Sequence, residues 1–239
     1  MTALQLPNFT EENHLVRELI YKRQMDLIQD NLDKVSKHFI KGIEIANLDK
    51  KRIPHVIDLS ARLTETTWRS LCDAKNKYLS HDRWFEHLAQ KRFPVTNYIR
   101  PMKDFDYTPL PDLFHEYFGH MPQMFQQFFV DIEHKTALLH QKAVTEKQKK
   151  DIFNISWWTI EYGVLMEEWV PKTLGTWVLS SPWDLLHFCN NWFQLEKATL
   201  QKLITTTPRP HDQHEVLFVF DSLDQRNEIL DEYESLYLV

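Results

Sequence analysis

Glycine is scarce in this chain: Gly42, Gly119, Gly163 and Gly175 are the only 4 in 239 residues. A phosphate-cradling loop needs several glycines close together, so Rossmann and P-loop chemistry is excluded. The 2 cysteines, Cys72 and Cys189, are too few for a disulfide scaffold and fit a reducing compartment. Each reads as a buried small hydrophobe rather than half of a redox pair. No run approaches the ~18 apolar residues of a membrane span. The opening stretch MTALQLPNFTEENH lacks the basic start and apolar centre of a secretory signal. A net charge of −6 gives no electrostatic reason to expect nucleic acid as a partner. The expectation is a cytoplasmic globular protein with neither nucleic-acid nor membrane partners.

Aromatic bulk is plentiful, with 8 Trp, 8 Tyr and 15 Phe to build a core. The length allows one large domain or two small ones, and no repeat, low-complexity tract or Gly/Ser linker divides it. Helical periodicity dominates. Leu32, Val35, Phe39, Ile40 and Ile43 form a stripe ending near Gly42; Phe125, Phe128, Phe129 and Ile132 form a second; Leu223, Leu230, Tyr233 and Tyr237 a third. The strand signal is confined to Val216–Phe220. Pro101 to Pro111, with Asp104, Asp106 and Pro109, reads as an irregular loop. The expected fold is one mostly α-helical domain with a minor β component.

Chemistry concentrates in Pro111-Asp-Leu-Phe-His115-Glu-Tyr-Phe-Gly-His120. Two imidazoles in apolar surroundings begin a metal site, since neutral imidazole is the commonest ligand for transition metals. The spacing differs from the His-Glu-x-x-His of zinc proteases, because position i+4 from His115 is Gly119. On an ideal α-helix five residues turn the direction by roughly 140°. Convergence therefore calls for one histidine at a helix end, and Pro122, which disfavours helical geometry at Met121, places His120 there. Gly119, beside one of these histidines, and Gly163 suit a backbone needing positive φ or close approach.

Glu161 is the third candidate ligand. On a continuous helix its i±3 and i±4 neighbours are Trp157, Trp158, Val164 and Leu165, which puts the carboxylate on an apolar face. A buried carboxylate is neutralised, paired with a cation or bound to a metal. Two His and one carboxylate make the facial triad of non-haem Fe(II) oxygenases, and zinc with His₂Glu is the chemical alternative. Glu116 points away from such a metal, either to a bound ligand or to solvent. Arg100 could clamp a carboxylate with Asp112 orienting it, the alternative being a structural ion pair. The other histidines (14, 38, 55, 81, 87, 134, 140, 187, 211 and 214) show no paired spacing and read as surface or core residues.

Arg92-Phe-Pro-Val-Thr-Asn-Tyr-Ile-Arg100, Asp106 to Pro122 and Trp157-Trp-Thr-Ile-Glu-Tyr-Gly163 together resemble the pterin-dependent aromatic amino acid hydroxylases, most of all the bacterial phenylalanine hydroxylases. Weaker similarity runs through Ile53-Pro54, Trp84 to Phe93, Leu179-Ser-Ser181 and Phe218 to Ser222, so residues 11–237 are covered in family order. The resemblance implies a single catalytic domain over 1–239, without regulatory domain or tetramerisation tail, acting as a monomer or homodimer. It implies iron(II) held by His115, His120 and Glu161, and a tetrahydropterin (tetrahydrobiopterin or a relative) against Glu116, Trp84 and Leu79, with Glu116 as a catalytic group. It further implies an amino acid whose carboxylate meets Arg100 and Asp112, in a pocket with Thr108, Pro111, Trp157 and Ser180. The implied reaction joins O2 to the ring of phenylalanine, or of tryptophan or tyrosine. Three departures bear on the pockets: Ala74 to Ser80 lacks the family's Pro- and Gly-rich pterin loop, a family Tyr is Ser156, and a small residue is Trp177, which would intrude on or reshape the amino acid pocket. A zinc hydrolase on the same three ligands and a non-catalytic helical module are the readings from other classes.

Overall fold

The computed structural model describes residues 7–74, 79–106, 108, 110–209 and 213–238. Three helices, α1 (Glu11–Asp30), α2 (Lys37–Ala46) and α3 (Val56–Thr67), lead into a parallel pair of strands, β1 (Ser70–Asp73) and β2 (Arg92–Val95), joined across α4 (His81–Ala89). The middle of the chain holds a π-helical turn, π1 (His115–His120), which runs directly into α5 (Met121–Met124). It is followed by α6 (Gln127–Lys142), α7 (Glu146–Ser156) and a second π turn, π2 (Trp157–Glu161). Beyond it come β3 (Val164–Glu167), β4 (Val170–Thr173), α8 (Thr176–Ser180), α9 (Pro182–Cys189), β5 (Gln194–Lys197), α10 (Leu200–Thr205), β6 (Val216–Phe220) and α11 (Asp224–Tyr237). The second sheet runs β4-β3-β6-β5, antiparallel at β3–β4 and parallel on both sides of β6. The expected mostly helical fold with a minor β component is the fold observed.

Local chemistry explains where the helices start. Thr10 with Asn13 and Thr145 with Gln148 form reciprocal capping boxes on α1 and α7, each satisfying two otherwise orphaned backbone donors. The run Val216–Phe220 is β6, flanked by strands on both edges and buried along most of its length, which is why it reads as continuously apolar. The other five strands have four residues each, too short to display a two-residue period.

The stripe beginning at Leu32 is broken where a helix was expected. Leu32 lies in a 3₁₀ turn, Val35 bridges to Thr173, and α2 begins only after Ser36 caps it. Gly42 does not end that helix, which runs on to Ala46 and stops at left-handed Asn47 (φ 39°). Gly42 is instead a contact point: a Cβ there would lie 2.2 Å from the Pro122 carbonyl oxygen, so α2 reaches the backbone behind the histidine motif only with glycine here. Phe39 and Tyr21 pack on Phe118, which stacks on Phe114 at 4.9 Å. The aromatic residues interleaved with the histidines thus anchor π1 to a hydrophobic core that extends from Val16 to Tyr233. Cys72 and Cys189 are free and half-buried, and burial pushes both thiols up to about 11. No helix among the described residues is long and apolar enough to cross a membrane.

Candidate metal centre

The expectation that His120 stands at a helix terminus is corrected by the backbone. His120 keeps helical dihedrals (φ −82°, ψ −41°), as does Met121 (φ −57°, ψ −37°), and the helix continues through Pro122. What brings the histidines together is the π turn: Met121 N–H bonds the carbonyl of Glu116, five residues back. A ladder of that reach places i and i+5 on one face, as an α-helix does for i and i+4. Pro122 has no N–H to extend the ladder, and four-residue bonding resumes with Phe125 N–H to Met121 O. The pre-proline preference is a bias, overruled here by a helix packed from both sides. Gly119 is part of that packing, since a Cβ on it would sit 2.8 Å from the Thr176 carbonyl.

Glu161 also ends a π turn, with Tyr162 N–H bonding Trp157 O five residues back. Trp157 and Trp158 are buried as expected, but Val164 and Leu165 lie in β3 rather than on the same helix. The helical premise therefore holds only on the N-terminal side of Glu161. The three side chains converge: the Nε2 atoms of His115 and His120 are 3.1 Å apart, and Glu161 lies 3.3 Å from His120 and 3.7 Å from His115. Their candidate ligand atoms all fall within 4.8 Å of one another. Burial holds His115 down at about 4. Burial would discharge His120 too, but the Glu161 carboxylate outweighs it and raises the imidazole to about 9. For Glu161, burial's upward push is outweighed by His120, and the carboxyl is held near 2.

Two hydroxyls behind the cluster fix its orientation. Ser180 Oγ donates to the Trp177 carbonyl (3.2 Å) and lies 2.8 Å from His115 Nδ1. With its only proton committed, Ser180 accepts from Nδ1–H, which leaves the His115 Nε2 lone pair facing the centre. Thr176 Oγ1 donates to Glu161 Oε2 at 2.6 Å. Two imidazole nitrogens and a carboxylate converging, with His115 and Glu161 each held from behind by a hydroxyl, fit a divalent transition metal. Thr176 was not singled out in the sequence, where only its place beside Gly175 marks it.

Arg100 and Asp112 form a buried two-pronged pair: Nε to Oδ2 at 2.7 Å and Nη2 to Oδ1 at 3.0 Å. Asp112 also accepts from the backbone N–H groups of Arg100 (3.0 Å) and His115 (3.2 Å), tying the guanidinium to the first histidine. Half-buried Thr108 and Pro111 lie between the two members of this pair along the chain, and Thr108 Oγ1 donates to the Leu110 carbonyl at 2.9 Å. The loop is irregular apart from a 3₁₀ turn at Met102–Asp104, and Pro109 lies outside the described residues.

Glu116 is buried, its Oε2 has no hydrogen-bond partner, and burial raises it to about 8. Such an orphaned buried acceptor fits the ring N–H groups of a pterin. Trp84, half-buried, meets Phe93 edge-on at 5.3 Å, and Phe93 lies 5.0 Å from the His120 ring, so an aromatic chain links Trp84 to His120. Leu79 is half-buried just before α4, while residues 75–78 of the altered loop lie outside the described residues. Glu133, another buried acid with an unbonded oxygen, was not anticipated. Nor was His214, whose Nε2 accepts the Trp157 indole N–H at 3.0 Å; it had read as an ordinary core or surface histidine. Ser156 closes α7 half-buried, its carbonyl taking the Thr159 hydroxyl at 3.1 Å.

Comparison with known proteins matches this arrangement. The family model for biopterin-dependent aromatic amino acid hydroxylases covers residues 3–237. A phenylalanine-4-hydroxylase of Vibrio cholerae is 27% identical over 220 residues, 91% of this chain and 74% of that protein. The structure of the cold-active phenylalanine hydroxylase of Colwellia psychrerythraea 34H matches with a TM-score of 0.88 at 25% identity, covering 96% of this chain and 88% of that one. A Chromobacterium violaceum phenylalanine hydroxylase with bound iron(III) and 7,8-dihydrobiopterin matches with a TM-score of 0.86 at 26% identity, over 95% of this chain and 81% of that one. The convergence of His115, His120 and Glu161, the fold and the match over residues 3–237 agree, and the chain belongs to the biopterin-dependent aromatic amino acid hydroxylase family.

Proposed function

We propose that this protein is a phenylalanine-type monooxygenase, which uses iron(II), a tetrahydropterin and O2 to hydroxylate the ring of phenylalanine to tyrosine. The observation that carries the reading is the convergence of His115, His120 and Glu161 next to a buried guanidinium locked in place. The phenylalanine hydroxylase relatives support the choice of substrate, and the iron and dihydrobiopterin in one of them support the cofactors. Iron(II) and the tetrahydropterin would together supply the electrons that activate O2.

The remaining work falls to the chain. Three ligands gathered on one side leave the opposite face open. Arg100 spends Nε–H and one Nη2–H on Asp112, and its remaining N–H groups are left for the amino acid carboxylate. Because Asp112 also holds the His115 backbone, one carboxylate sets the distance between substrate clamp and metal ligand. Trp157, Pro111, Thr108 and Ser180 would wall the side chain. Glu116 would accept a pterin N–H, with Trp84 and Leu79 on the same side. The rings of Trp157, Phe93 and Trp177 keep water from the reacting atoms.

We read the described chain as one catalytic domain, on the strength of its single hydrophobic core, working in the cytoplasm as a monomer or homodimer on small molecules and not on nucleic acid. The test is a product assay: iron-loaded protein, tetrahydrobiopterin, O2 and equimolar phenylalanine, tyrosine and tryptophan, with mass spectrometric detection. Tyrosine from phenylalanine is the expected main product. Hydroxylated tryptophan or tyrosine as the main product would replace the substrate assignment with that of a sister activity, and no hydroxylated product at stoichiometric iron would sink the reading.

A further inference from the structure

We propose that Trp177 sets the ring-size selectivity of the amino acid slot: its indole, fixed beside the His115 and Trp157 rings, leaves room for a single-ring side chain and excludes a fused one. The inference rests on the hydroxylase reading and concerns the same site.

Trp177 sits where little can shift. Its neighbour Thr176 bonds Glu161 at 2.6 Å, and Ser180, one turn on, lies 2.8 Å from His115 Nδ1. Gly119 of π1 lies directly under the Thr176 carbonyl, so α8 has no room to slide toward the metal ligands. The Trp177 ring lies 5.0 Å from the His115 ring, tilted by 58°, and 6.1 Å from the Trp157 ring, tilted by 35°. The Trp177 ring thus lies against both the His115 and the Trp157 rings.

Both tryptophans are also fixed at their polar ends. Trp157 gives its N–H to His214 at 3.0 Å, and the Trp177 side chain hydrogen-bonds the buried Asp184 carboxylate. Rotating either ring out of the slot would break its hydrogen bond to a buried acceptor, which is costly. What Trp157 and Trp177 present to the slot is therefore apolar ring surface with little freedom to yield. Forcing extra atoms into such a packed space is penalised, because it drives side chains off their rotamers and shifts the backbone. A phenyl ring meets this limit less than an indole does, and replacing Trp177 by a small residue removes the volume of a fused ring from the wall.

The experiment compares wild type, Trp177→Ala and Trp177→Phe, all loaded with iron(II) and checked for equal iron content and circular dichroism. Two quantities are read: the ratio of kcat/KM for phenylalanine over tryptophan, and the ratio of the two dissociation constants by anaerobic calorimetry. Wild type is expected to favour phenylalanine in both. Trp177→Ala should shift both ratios toward tryptophan on the order of tenfold or more, with Trp177→Phe, which keeps one ring and folds most conservatively, falling between. Ratios unchanged in Trp177→Ala, or a wild type that takes both amino acids equally, would overturn the proposal. If no amino acid is turned over by wild type, the hydroxylase reading fails by itself, and the binding ratios still decide the role of Trp177.

Discussion

The two sides of the metal centre are built on opposite principles. On one, Arg100 and Asp112 satisfy each other through two short bonds and two backbone N–H groups. On the other, Glu116 and Glu133 are buried with an oxygen each that nothing among the described residues bonds. A buried ion pair that is fully hydrogen-bonded is rigid and expensive to break, whereas an unbonded buried carboxylate is a standing cost to the fold. The difference separates two tasks. The saturated side holds the Arg100 guanidinium in place relative to His115, as the proposed carboxylate clamp requires; the unsaturated side keeps unbonded oxygens, which would suit a ligand that arrives carrying N–H donors.

The strongest way to break this picture is to remove what both sides share. His115→Ala should abolish iron binding and turnover together, measured by metal analysis and product assay; turnover retained without His115 would refute the ligand assignment. Next in size is the saturated side. Asp112→Ala strands the Arg100 charge and should cost about 3–5 kcal/mol in chemical denaturation, with a raised KM for the amino acid; a loss no larger than that of an exposed substitution would contradict the claim of a load shared between clamp and backbone. Thr176→Val takes the bond from Glu161 Oε2 and should weaken iron binding roughly 10–100-fold while leaving the fold intact, as followed by chelator competition. The smallest effect is expected on the unsaturated side. Glu116→Gln should change stability by no more than about 1 kcal/mol, in contrast to Asp112→Ala, yet raise KM for the tetrahydropterin and leave amino acid binding alone. A loss of stability comparable to that of Asp112→Ala would erase the distinction between the two sides.

Much of this centre was legible from residue types. His115, His120 and Glu161 stand out as polar groups among aromatic ones, and for Arg100 and Asp112, read as a carboxylate clamp or a structural ion pair, the pairing itself is observed. The geometry that joins the histidines was not legible. A five-residue hydrogen-bond ladder has no propensity signature of its own; it arises where Gly42, Gly119 and Phe118 pack a helix on several faces at once. Spacing hinted at an anomaly and suggested a helix end, when the answer was a wider turn. The short strands β1 to β5 were invisible because four residues show no periodicity, whereas β6 announced itself by burial on both faces. Thr176 and His214 act across 15 and 57 residues of chain, contacts that only the folded molecule creates. Trp177 lay between these extremes: as a large ring where the family has a small residue it was visible, and the structure supplied its neighbours, His115, Trp157 and Asp184.

The central claim is that the three-ligand centre directs oxygen from O2 onto the phenylalanine ring. The most direct measurement is the mass of tyrosine formed from phenylalanine by iron-loaded protein and tetrahydrobiopterin under isotopically heavy dioxygen. The account predicts tyrosine carrying one heavy oxygen atom, with none formed by the Glu161→Ala variant. Tyrosine that carries oxygen from water, or no tyrosine from protein holding one iron per chain, would contradict it.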